Sequence, residues 1–389
     1  MRISRRRLLQ AAAASAPIVL SPCVSRSAET TQIDAEGFYT IGRRDGRWWF
    51  IDPEGKRNFS LGINHIDPAS LRYPENVHLW REKYGNAMQR WLQESVAPDL
   101  KAWGFNCIGW TQEVVTRGPT NHRHSRPFTY EEYQWLDMPY CHLLPFADFH
   151  QWEFETIHPD FFSDDFASWC DHVAREHCVP MSEDPKLIGY FYIDCPTWVH
   201  TREGNTWKGP LFDPIKLKEA KGRQELVKLA TQYYKVTHDS IRRYDPHHLI
   251  LGDRYEINAP LPVEVVHAAK PFVDVLSFQQ FGNPDKIRTD FEHWRQTIDM
   301  PILLADGAGA RQRADGTRGQ DGMRYQRTLE VLRANPACVG FHLCGAYLQN
   351  RVRKRGLRNE LDQPDKEAIE LISQANRETA LWVSQFGNL

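Results

Sequence analysis

A (β/α)8 TIM barrel with a short N-terminal β-hairpin is the fold class this sequence predicts. Three observations predict it. Eight short apolar runs alternate with helical patterns along the chain. Each run is apolar on both faces, as a strand covered on both sides must be. A doubly wound sheet is the competing arrangement, but no GxGxxG or P-loop supports a nucleotide-binding version of it.

The chain opens with a hairpin pattern. Gly37-Phe38-Tyr39-Thr40-Ile41 and Arg47-Trp48-Trp49-Phe50-Ile51 flank Arg44-Asp45-Gly46, and Asp-Gly between aromatic runs is a hairpin signal. Asp52-Pro53-Glu54-Gly55 is a second turn. The eight barrel runs are 59–64, 106–110, 140–144, 187–193, 249–252, 273–278, 301–305 and 339–343. Helical patterns separate them at 91–103, 166–178, 224–244, 263–269, 291–298 and 323–334, and 365–386 closes the chain. Phe166, Trp169, Val173 and His177 show the 3/4 spacing of a packed helix face. The resulting division is 29–58 for the hairpin element and 59–389 for the barrel.

Residues 1–28 read as an address rather than as fold. Ser4-Arg5-Arg6-Arg7-Leu8-Leu9-Gln10 is a twin-arginine pattern, an apolar stretch extends to Leu20, and Ser25-Arg26-Ser27-Ala28 offers a cleavage site. Export by that route to the periplasm or beyond is the expectation. Removal of this leader takes five arginines and no acid from 48 basic and 50 acidic residues, so the formal charge moves from −2 to −7. Neither value suits a nucleic-acid partner. No apolar run reaches the roughly 18 residues of a membrane span, and the mean hydropathy is −0.58. Beyond the leader the seven cysteines have neither CxxC spacing nor a disulfide framework, so they read as buried thiols.

Barrel active sites are built where strands end. The residues there are rich in carboxylates, amides and aromatics, which suits sugar hydroxyls and sugar ring faces. Asp194 and Asp306 are single acids directly after the fourth and seventh runs, and glycosidic cleavage needs two carboxyl groups across the scissile bond. They are the expected catalytic pair, against the bland reading of capping or salt-bridged acids. Asn64 and His65 are expected to bind substrate hydroxyls, with Trp110, Trp152 and Trp198 as stacking platforms. Gln280, Asp253 and His342 complete the expected substrate contacts. Arg254 is expected to hold an anionic group or to orient Asp194. Glu153 and Glu256 are reserves for the acid/base role, Glu153 counted also among the substrate contacts. His65, His142, His150 and His342 lie near strand ends, but none belongs to an HxH or HExxH spacing, so no metal and no cofactor is expected.

Several stretches resemble the agarase-type glycoside hydrolases of the retaining (β/α)8 clan. They are 46–55 with 59–65, 103–109, 160–166, 184–191 and 244–252, in that order along the chain. The resemblance implies an acid/base after strand 4 and a nucleophile after strand 7. The chain departs from the pattern at both: Asp194-Cys195-Pro196-Thr197-Trp198 stands where Asn-Glu is usual, and Asp306 stands for Glu. The expected function is therefore hydrolysis of O-glycosidic bonds in a poly- or oligosaccharide, with an agarose-type galactan as one candidate. The alternatives are a non-catalytic carbohydrate-binding protein on a decayed barrel and a metal-dependent barrel hydrolase.

Overall fold

The computed structural model describes residues 37–116, 122–147, 159–196, 198–199, 214–258, 260–313, 316–345, 347–351 and 353–386. The leader therefore lies outside the described residues. Eight parallel strands close into a barrel in sequence order: β1 Ser60–Ile63, β2 Cys107–Ile108, β3 Tyr140–Leu143, β4 Leu187–Asp194, β5 Leu249–Glu256, β6 Leu276–Gln279, β7 Ile302–Gly307 and β8 Cys338–Leu343. β8 pairs with β1 to close the ring. The expected strands are these strands, within a few residues at their ends.

The helical layer explains why the runs had to be apolar on both sides. The helices Asp164–Cys178, Ala220–Tyr244, Pro284–Thr297 and Gly322–Ala334 each bury one stripe against the barrel. Ser163, Asn283 and Asp321 cap three of them by accepting a backbone N–H. The lumen is filled by side chains such as Phe191 and His342, whose rings meet at 6.2 Å between centroids, so the barrel is packed rather than hollow.

The N-terminal hairpin is the expected one, extended by a third strand: Thr40–Arg44, Arg47–Ile51 and Arg57–Asn58 form an antiparallel sheet. It packs against the end of the barrel remote from the site. Arg47 Nη1 donates to the Asn335 carbonyl at 2.9 Å, and the Trp48 amide donates to the Pro336 carbonyl at 2.9 Å. Trp49 meets Trp382 and Phe386 of the closing segment at ring distances of 5.4 and 5.0 Å. Two further hairpins, Gln112–Thr116 with His122–Pro127 and Ala310–Gln312 with Arg318–Gln320, come after β2 and β7. Both carry weak apolar alternation, and they are absent from the pattern expected of the sequence.

Candidate active site

β4, β5, β6 and β7 bring their ends to one corner of the mouth. β5 reaches its position through an irregularity: Gly252 has φ +64°, and the pairing with β4 shifts on both sides of it. Glycine meets that left-handed requirement without strain. The shift fixes the phase of the strand beyond Gly252, so Arg254 enters the lumen and Asp253 faces the helix layer.

Arg254 is fully buried and joins the two acids. Nη2 donates to Asp194 Oδ1 at 2.7 Å, and Nη1 lies 3.9 Å from Asp306 Oδ2. Its guanidinium rests on the Trp110 ring, 4.0 Å from the centroid. Gln279 also donates to Asp194 Oδ1. Asp194 and Asp306 are 2% and 4% exposed, a depth at which an unpaired carboxylate would be far too costly to keep ionised.

Asp306 has a second set of partners. Asn64 Nδ2 donates to its Oδ1 at 2.6 Å, and His65 Nε2 is 3.9 Å from Oδ2. Burial by itself would raise the Asp306 carboxyl. The Arg254 charge and the bonds from His65 and Asn64 outweigh it and hold the carboxyl well below the usual range. Burial and the Arg353 charge push the His65 imidazole down to about 3, so it stays neutral. His65 and Cys195 follow β1 and β4 with φ of 57° and 48°. Such backbone is uncommon outside glycine and clusters at functional sites.

Glu256 ends β5 two residues beyond Arg254. In register it pairs with Gln279, and Gln279 pairs with Asp306, so the three stand at one height on neighbouring strands. It is half-buried and accepts from the Asn258 amide at 3.0 Å and the Asn258 side chain at 2.9 Å. Burial raises its carboxyl, the Asn258 bonds oppose this, and the charges of Asp194 and Asp306 add to the rise.

Of the expected site residues, Asn64, His65, Trp110, Asp194, Arg254 and Asp306 come together. The others are corrected or fall elsewhere. Asp253 accepts from Tyr233 at 2.9 Å and Tyr234 at 2.6 Å, on the outer face of the barrel. Gln280 accepts from Asn258 and from the Gly282 amide and donates to Asp290; its neighbour Gln279 is the one at Asp194. Trp198 is 1% exposed and packs on Tyr233 and Tyr234, so it offers no open ring face. Trp110 is covered by Arg254. His342 lies inside the barrel with Nε2 2.9 Å from the Ser60 hydroxyl, below the mouth. Trp152 and Glu153 lie outside the described residues.

Gln279, Cys344 and Arg353 were not in the expected set. Gln279 shares a strand end with Gln280, and apolar runs do not reveal which of two adjacent residues turns inward. Cys344 stands near Asp306, and Arg353 bears electrostatically on both acids from the segment after β8. Two groups of described residues could hold a metal ion: His65, Asp306 and Cys344 at the site, and Cys107, Cys141 and His342 inside the barrel.

The site is thus a buried acid pair, bridged by an arginine, at the strand ends of a closed (β/α)8 barrel. Neither family models nor curated proteins match the chain. Solved structures do. An agarase, AgWH50C, is 18% identical with a TM-score of 0.68 over 91% of this chain. An exo-beta-agarase is 15% identical with a TM-score of 0.68 over 90% of it. A Bacteroides uniformis beta-glucuronidase is 12% identical with a TM-score of 0.54 over 86% of it. The chain spans 64% and 66% of the two agarases' own lengths. At these identities the likeness is one of fold, and the agarase-like barrel is the fold of this chain.

Proposed function

We propose that this protein is a glycoside hydrolase acting on a poly- or oligosaccharide, exported by the twin-arginine route to the periplasm or beyond. One observation carries the reading: two deeply buried carboxylates share one guanidinium at the mouth of a barrel similar to those of agarases. The galactan of the agarases is the first substrate to test.

Asp306 suits the nucleophile. A nucleophilic carboxylate must be ionised at the working pH, and Arg254, His65 and Asn64 keep it so. An oxocarbenium-like centre forming beside it meets a fixed negative charge. Asp194 is the opposing carboxylate, held by Arg254 and Gln279, and in this reading it moves the proton of the leaving oxygen. A second reading of the proton donor is favoured by Glu256. A general acid needs a raised carboxyl, and Glu256 has one at the height of Asp306, with no arginine partner among the described residues. Each donor would pass its proton to the departing sugar oxygen and recover one from water.

Reducing-end release from a polysaccharide panel, with and without EDTA, tests the proposal. Release unaffected by EDTA is expected. Tight binding without release would favour the carbohydrate-binding alternative. EDTA-sensitive release that persists in Cys107→Ser would move the chemistry to a metal on His65, Asp306 and Cys344. Retention in the first-formed anomer, followed by NMR, is expected of direct attack by Asp306, and inversion would make that residue a base.

A further inference from the structure

We propose that Cys107, Cys141 and His342 form a binding site for a thiophilic d10 ion, Zn2+ or Cu+, inside the barrel and apart from the two acids. The site does not depend on the hydrolase reading.

The three residues come from β2, β3 and β8, and all are fully buried. Their donor atoms lie within 4.8 Å of one another. The two sulfurs are 3.8 Å apart, well beyond the ~2.05 Å of a disulfide. An ion at the usual ~2.3 Å from each would subtend an S–M–S angle of about 110°. That angle lies between tetrahedral and trigonal, the geometries that zinc and cuprous thiolates adopt. His342 supplies the nitrogen, with the Ser60 hydroxyl 2.9 Å from Nε2. Nδ1 has no hydrogen-bond partner among the described residues. An imidazole that binds metal through one nitrogen is commonly fixed by a partner on the other.

The barrel also clears space for this ring. A Cβ at position 62 would fall 2.3 Å from a His342 ring carbon, and one at position 109 would fall 2.8 Å from Nδ1. Gly62 and Gly109 therefore admit an imidazole where a packed barrel would otherwise place apolar side chains. Two thiols and an imidazole converging in a buried interior are a donor set with higher affinity for soft ions than for Mg2+ or Ca2+. Occupancy replaces two thiol protons by one ion, so binding releases protons and tightens with rising pH.

The test uses the full chain, purified anaerobically under reducing conditions and stripped of metal. One equivalent of Zn2+ or of Cu+ is offered in separate arms, followed by dialysis and metal analysis. Near-stoichiometric retention in at least one arm is expected, with X-ray absorption giving two sulfur neighbours and at least one nitrogen. Co2+ substitution should give a thiolate charge-transfer band. Cys107→Ser and Cys141→Ser should each weaken retention at least tenfold, while Cys344→Ser leaves it unchanged. The absorption measurement needs no variant, so it decides the matter even where a serine fails to fold. Loss of the ion in both arms, a sulfur-free shell, a Cys107–Cys141 disulfide or loss on Cys344→Ser overturns the proposal.

Discussion

Asn64 donates through Nδ2 to Asp306 Oδ1 at 2.6 Å while its own Oδ1 accepts the Trp110 amide at 2.8 Å. The same Nδ2 reaches the Ala305 carbonyl at 2.8 Å, so a flipped amide would set oxygen against two acceptors. Asn64→Asp keeps the volume and places a like charge beside Asp306. We expect kcat to fall roughly 10²–10³-fold, the scale of losing one preorganised donor, with circular dichroism unchanged. Activity within threefold of wild type would remove Asn64 from the machinery.

Arg254 pairs with two acids that the barrel buries. Arg254→Met takes the guanidinium charge from both, and breaking a buried pair from one side costs roughly 3–5 kcal/mol. Urea unfolding should record a loss of that size. Adding Asp194→Asn to Arg254→Met should recover part of it, because one stranded charge is then gone. If the double variant is no more stable than the single one, the Asp194–Arg254 pairing is not what the arginine supplies.

The pH dependence of kcat/KM should be one-sided. Asp306 is held far below the usual range, so no acidic limb from its protonation is expected where the protein remains folded. Glu256 is raised, and as a proton donor it would lose activity when it ionises, giving a basic limb. Glu256→Gln should abolish that limb and spare substrates with good leaving groups. A basic limb that survives Glu256→Gln and disappears in Asp194→Asn would return the proton-donor role to Asp194.

Asp253 makes the opposite kind of statement, about stability alone. Burial raises its carboxyl to about 6, against the bonds from Tyr234 and Tyr233. A raised carboxyl contributes stability that is present below the unfolded value of ~3.9 and lost as pH rises through about 6. Two units correspond to about 3 kcal/mol. The wild type should therefore lose about that much from this group between pH 4 and pH 8, and Asp253→Asn should flatten this part of the profile. Equal pH dependence in both proteins would count against the assignment.

The barrel was legible because both faces of every strand are covered, which turns strands into continuous apolar runs. The same property hid the phase within each run. Asp253 and Arg254 are an adjacent acid and base at one strand end, and only the left-handed Gly252 decides which of them enters the lumen. Gln279 and Gln280 pose the same ambiguity. Aromatic side chains after strands suggested open platforms, whereas Trp198 fills space against Tyr233 and Tyr234. The acids themselves were readable, since a carboxylate closing an apolar strand requires a partner or a task, and here Asp194 and Asp306 share the partner.

The N-terminal sheet carries a consequence for when this chain can fold. Trp49 finds its apolar surroundings at Trp382 and Phe386, and Arg47 finds its acceptors at Asn335 and Cys338. Trp49 and Arg47 thus wait on residues synthesised 286 or more positions later. At about 5–20 residues per second this is a delay of tens of seconds on the ribosome. During it, Trp49 lacks the aromatic partners that cover it in the folded barrel. The high sequence separation of these contacts places their docking after synthesis of the closing segment.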